Sequence, residues 1–178
     1  MADKHRFSKR GYLSYFVKNA AGEYIYRGKL YSLDGEKYGP FTASVAALSL
    51  GAFLSCVASG CITAPGMTGC FYVIIPFVLE IGACVSVLWA AVRLACNKKP
   101  LREYVYDSSV KSLPLRCILA LSAAVAGIIC ETLYVVLNGT GENTVWFVVF
   151  LLLKAGSAAC ALILRIRVKK SVWISSDA

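Results

Sequence analysis

The sequence predicts an all-α membrane protein, a four-helix transmembrane bundle running up-down-up-down behind a short N-terminal segment. Three observations lead there. Four apolar runs, residues 41–60, 71–96, 113–137 and 144–168, are each long enough to cross a hydrocarbon core of ~30 Å at about 1.5 Å per helical residue. The connections between them are short, which makes sequential helices antiparallel neighbours. With 58% apolar and only 16% charged residues, the 178-residue chain has too little polar surface for a soluble domain, so the bilayer must solvate most of it. Lipid excludes an open sheet because its edge groups would go unpaired, and a barrel would show alternating strands of about ten residues.

Residues 1–40 form a cytoplasmic basic and aromatic juxtamembrane segment that holds six of the ten tyrosines interleaved with eight Lys or Arg. Two aromatic stretches, 12–17 and 24–32, flank Asn19-Ala20-Ala21-Gly22, which reads as the turn of a small β-hairpin. An isolated hairpin is marginal in water and needs the membrane, the bundle or a partner to stay ordered. This segment contains no apolar run suited to a signal peptide, so the first span is expected to direct insertion. Asp34-Gly35 and Gly39-Pro40 mark turns into the transmembrane domain, 41–168, which is followed by a cytoplasmic tail, 169–178.

Charge sets the orientation. The two segments that alternate to the far side, 61–70 and 138–143, contain no Lys or Arg, although the chain holds 19 of them. By the positive-inside rule both termini are cytoplasmic. The net charge of +9 is spread over every segment on that side, which fits anionic lipid headgroups better than nucleic acid, and no nucleic-acid partner is expected. Trp89, Trp146, Trp173, Phe71, Tyr72 and Tyr134 fall near the ends of the runs, where they read as headgroup anchors.

In the first span Ala43, Ala47, Gly51, Ser55 and Ser59 recur every fourth residue and make a continuous ridge for close helix packing, within the chain or in a homo-oligomer or larger membrane complex. Gly82, Ser86 and Ala90 repeat the pattern in the second span.

The most pointed chemistry is three ionisable residues at membrane depth: Glu80, Glu131 and Lys154. Glu80 and Lys154 each lie about 15 Å below the outer end of their helix, and Glu131 about 9 Å below its own. An isolated charge at a helix centre costs about 2.5–3.5 kcal/mol on insertion scales, so a carboxylate, lysine, carboxylate cluster is expected. In one reading a Glu and Lys154 form a fixed pair that sets register while the other Glu is protonated; in the other the surplus negative charge is met by a proton or transported cation. Pro76, four residues before Glu80, frees the carbonyl of Tyr72 and is expected to kink the second span. Arg93 and Arg116 lie near the cytoplasmic ends and are expected to snorkel.

Of eight cysteines, Cys56, Cys84, Cys96, Cys117, Cys130 and Cys160 fall in the apolar runs as small hydrophobes. Cys61 and Cys70 flank the outer loop and in an oxidising compartment would close a ring worth about 2.7 kcal/mol on the loop-entropy relation. A quinone-coupled thiol oxidoreductase is disfavoured because no Cys-x-x-Cys occurs. The only histidine, His5, is in the N-terminal segment, so no metal site, cofactor or His-activated nucleophile is predicted. Asn138-Gly139-Thr140 matches a glycosylation acceptor in a loop too short and too close to the membrane for modification, and Gly139 and Gly141 read as a tight turn. These features point away from an enzyme and toward an accessory or assembly subunit acting through helix packing. A small ion- or proton-coupled transporter or channel built on Glu80, Glu131 and Lys154 is the alternative.

Overall fold

The computed structural model describes residues 15–18, 24–67, 69–97, 99–139 and 144–177. It is dominated by four long helices, α1 (Tyr38–Gly60), α2 (Phe71–Cys96), α4 (Leu113–Asn138) and α5 (Thr144–Lys170). Each is long and apolar enough to span a membrane, as in a multi-pass integral membrane protein. Only 22–33% of each span's most apolar window is buried inside the protein, so most of that surface faces outward, where lipid is the solvent that makes it stable. A short helix, α3 (Glu103–Tyr106), runs through a π-helical turn at Asp107–Lys111 into α4.

The helices close into a ring in which α1 packs on α2, α2 on α4, α4 on α5 and α5 back on α1. The small-residue ridge explains part of this order. A Cβ added at Gly51 would lie 3.5 Å from Sγ of Cys160, and one added at Gly156 would lie 3.7 Å from Oγ of Ser55, so α1 and α5 approach through small side chains. The ridge is divided, however: Ser59 is buried, Gly51 and Ser55 are half-buried, and Ala43 and Ala47 are exposed. The division arises because Phe41 and Val45, both fully buried, are what α1 turns inward at its first turns.

Around one end of the ring the chain builds a small sheet, with strands ordered β4 (Leu101–Arg102), β3 (Lys29–Leu33), β5 (Trp173–Asp177), both pairings antiparallel. Residues 173–177, within the expected C-terminal tail, are thus the partner strand of a segment almost the whole chain away. The aromatic stretch 24–32 is likewise not one strand: it breaks after β2 (Tyr24–Tyr26), which pairs with β1 (Phe16–Lys18), and resumes as β3. The proposed turn Asn19-Ala20-Ala21-Gly22 lies outside the described residues, as do His5, Thr140 and Gly141.

This end is a core in its own right. Leu33, Phe41, Val45, Leu94, Leu101, Val105, Leu113, Leu164 and Val168 pack together, drawing on the start of α1, the end of α2, the start of α4 and the end of α5. Tyr31 stacks on Tyr106 with centroids 4.1 Å apart, and Trp173 meets Tyr106 and Phe41 edge-on. Trp173 is therefore a packing residue rather than the headgroup anchor its position in sequence implied, whereas Trp89, 69% exposed, stays on the outer surface. Polar ties reinforce the core: the Tyr38 hydroxyl donates to the carbonyl of Leu94 at 2.7 Å, and Arg167 pairs with Glu36 at 2.7 Å. Gly35, at φ +72°, makes the turn before α1 that a residue with a side chain would resist. The Tyr26 hydroxyl donates to the carbonyl of Lys29 and accepts from the backbone N–H of Glu103 at 2.8 Å, docking the strand pair on α3; burial pushes this phenol above the usual tyrosine range.

Candidate functional site

The site is assembled from helical spacing. In α2, Phe77, Glu80 and Cys84 follow one another at three and four residues; in α5, Phe150, Lys154 and Ser157 do the same; each trio therefore shares one face. Both faces turn to the bundle interior, where Glu80 and Lys154 have no exposed surface at all. Lys154 Nζ donates to Oε2 of Glu80, and Ser157 Oγ donates to Oε1 of the same carboxylate at 2.8 Å. Both oxygens of Glu80 are thus engaged. The rings of Phe77 and Phe150 flank the ammonium with centroids 4.6 and 5.3 Å away, supplying the cation–π contacts that a desolvated lysine lacks in hydrocarbon.

The pair runs diagonally, because α2 and α5 are opposite members of the ring. Room for it comes from small residues on the other two helices. A Cβ at Gly127 of α4 would lie 3.8 Å from Cε of Lys154, and any side chain at Gly60 of α1 would strike the ring of Phe77. The sequence offers these glycines without showing what they make room for.

Glu131 does not join the cluster, which corrects the expected carboxylate, lysine, carboxylate arrangement. Gly127 is the α4 residue against Lys154, and Glu131 lies one turn beyond it, toward the loop. There its Oε1 accepts the backbone N–H of Gly66 at 3.1 Å. Its Oε2 is buried without a hydrogen-bond partner among the described residues. Gly66 is required by closeness: a Cβ there would meet the Glu131 carboxylate, Val73 and the Tyr134 ring. Gly66→Val should therefore lower stability by about 1–3 kcal/mol through overpacking, and it should speed maleimide labelling of Cys61 and Cys70. A wild-type melting temperature and labelling rate would show that the loop does not rest on Glu131.

Cys61 and Cys70, expected to pair under oxidising conditions, are both free thiols. Each belongs to a helix end, Cys61 bonding back to the carbonyls of Val57 and Ala58 at the close of α1 and Cys70 preceding α2. In the described part of the loop between them Ala64 is buried and the Gly66 N–H donates to Glu131. Pro76 sits in the second turn of α2, whose helix continues from Phe71 to Cys96. The sequence predicted no metal site, yet the fold brings Sγ of Cys56, Sγ of Cys84 and a carboxylate oxygen of Glu80 within 4.8 Å of one another, the nearest the described residues come to a ligand set. Both oxygens of Glu80 already accept a hydrogen bond, one from Lys154 and one from Ser157. Arg116, expected to snorkel, instead donates to the carbonyl of Ser86 at 2.8 Å and ties α4 to α2. No spacing rule reveals this contact.

Comparisons with protein-family models, with curated proteins and with solved structures returned no match.

Proposed function

We propose that this chain is a non-enzymatic accessory or assembly subunit of a membrane, an up-down-up-down bundle that works through its lipid-facing helix surfaces. The observation that carries the reading is the closure of the Glu80–Lys154–Ser157 site, in which both oxygens of Glu80 are paired, Glu80 and Lys154 have no exposed surface and Ser157 is buried. A coupling site needs an entry path for water or ion and a carboxylate free to receive it; here the charges act as an internal staple. The meeting of the four helix ends in one core supports the antiparallel order, and the strand pairing supports a β-hairpin ahead of the bundle.

The assembly surface is the exposed apolar side of α1 and α2. Ala43 and Ala47 leave the cytoplasmic half of the small-residue ridge open, and Gly82, with nothing within 4 Å of a Cβ built on it, lies between exposed Leu79 and Val85. Small residues of this kind let a second helix approach closely, in a homo-oligomer or a larger complex. The test is native mass measurement after mild extraction. Wild type should run as a complex, and Ala47→Leu or Gly82→Leu should release the monomer with an unchanged melting temperature. A wild-type chain that is monomeric in bilayer discs contradicts the reading.

A second reading, a small ion- or proton-coupled transporter or channel using Glu80, Glu131 and Lys154, draws on one observation, the unpartnered Oε2 of Glu131. It requires the charge pair to open.

Both readings share a topology, with the termini and the sheet in the cytoplasm beside anionic headgroups. A membrane-impermeant maleimide should reach Cys61, which is exposed, from outside intact cells, and an epitope at either terminus should need permeabilisation. Antibody access to an N-terminal epitope in intact cells would reverse the assignment.

A further inference from the structure

An open hollow of about 330 Å³ lies on α2 near the sheet-bearing end, lined by Trp89, Val92, Arg93, Cys96 and Asn97. The spacing of these residues puts them on one helix face. Trp89 and Val92 are 69% and 46% exposed, and Val85, a turn deeper, is also exposed, so an apolar track leads from the hollow along the membrane-facing side of the helix. At its upper edge the guanidinium of Arg93 lies 5.9 Å from the centroid of Tyr104 and has no carboxylate within ion-pair distance among the described residues. The Asn97 side chain donates to the Arg93 carbonyl at 2.6 Å, which fixes the end of the helix under that arginine. Arg116 is different: its two terminal nitrogens donate to the Ser86 and Ser108 carbonyls.

A planar cation with free donors, an indole beside it and an apolar track below match one ligand chemistry, a phosphate attached to a hydrocarbon chain. We propose that this hollow binds an anionic phospholipid, its phosphate on the Arg93 fork and an acyl chain along Val92, Trp89 and Val85. Lys99, an exposed residue outside the hollow whose ammonium lies 5.1 Å from the Tyr38 ring centroid, adds positive charge at this end of α2 and so favours an anionic headgroup over a zwitterionic one. A free phosphate would gain the arginine but would leave the apolar track unused. The inference gives a place to the anionic-lipid contact in the function proposed above.

Native mass spectrometry of the full chain with phosphatidylglycerol and phosphatidylcholine of identical acyl chains tests it. Wild type should retain phosphatidylglycerol preferentially. Arg93→Gln should weaken that retention about fivefold, the equivalent of roughly 1 kcal/mol for one basic residue near an anionic surface. Trp89→Ala should weaken retention of both lipids, and Lys111→Gln, whose ammonium is paired with Asp107, should leave the preference as it is. Arg93→Lys, which keeps the charge and loses the fork, should retain the preference at reduced affinity, so a folding defect in the Gln variant does not decide the outcome. Undiminished phosphatidylglycerol retention in folded Arg93→Gln would overturn this site while leaving a general anionic-lipid contact standing. Equal retention of the two lipids by wild type would overturn both, and displacement of the lipid by millimolar inorganic phosphate would reassign the hollow to the free anion.

Discussion

Lys154→Ala should destabilise the bundle by about 3–5 kcal/mol, the usual cost of removing one partner from a buried ion pair. The size of the loss follows from what remains. Glu80 would keep only the Ser157 hydroxyl, in a site with no exposed surface through which water could replace the ammonium. The rings of Phe77 and Phe150, which flank the cation, would border a cavity. Glu80→Ala should be comparably damaging, because it strands the ammonium. Equilibrium unfolding in mixed micelles measures both, and a stability change below about 0.5 kcal/mol, the range of an ordinary surface substitution, would show that the charges do not hold α2 to α5.

The other large effect belongs to the sheet-bearing end of the bundle. Phe41→Ala should cost about 3–5 kcal/mol, since the ring is fully buried where the helix ends meet the sheet. Its edge-to-face partner at 6.0 Å is Trp173 of β5, so the loss should appear first at the C-terminus. Limited proteolysis should release residues after Lys170 from Phe41→Ala much faster than from wild type. A double cycle with Trp173→Ala should return a coupling of about 0.5–1.5 kcal/mol, the usual worth of an aromatic pair. Zero coupling, or a C-terminus equally resistant in the variant, would mean that β5 is held by its backbone bonds and the Tyr106 contact, without help from Phe41.

The spans were legible because hydrocarbon imposes a simple condition, a long apolar run, and the structure begins α2, α4 and α5 at the first residue of their runs. Phe41, where the first run begins, is in the opening turn of α1, which Tyr38 starts because Pro40 fits a helix's first turn. That Glu80 and Lys154 share a level was legible for the same reason, since rise per residue converts position into level, and the two side chains meet. Which carboxylate meets Lys154 was not. That choice rests on Gly127 facing the lysine and on the loop between α1 and α2 folding back so that Gly66 claims Glu131, and both depend on helix rotation, which the apolar composition of the spans does not specify. The ridge was visible as a period of four, but its exposed half was not, because a small residue reads alike at a helix contact and at a lipid surface. The sheet was hidden most completely. Its strands are two to five residues long, β3 and β5 stand at opposite ends of the chain, and their aromatic residues look the same in sequence as membrane anchors.

The most direct measurement is the stability of the double variant Glu80→Gln, Lys154→Met beside its two single variants and wild type in the same bilayer discs. If the buried charges are a staple, each single change leaves an unmet group, and the double, neutral and similar in volume, should recover most of the stability and assemble as wild type does. A double variant that folds and assembles but has lost its biological activity would contradict the account, because the carboxylate would then be needed for a proton or cation and the closed pair would be one state of a transporter.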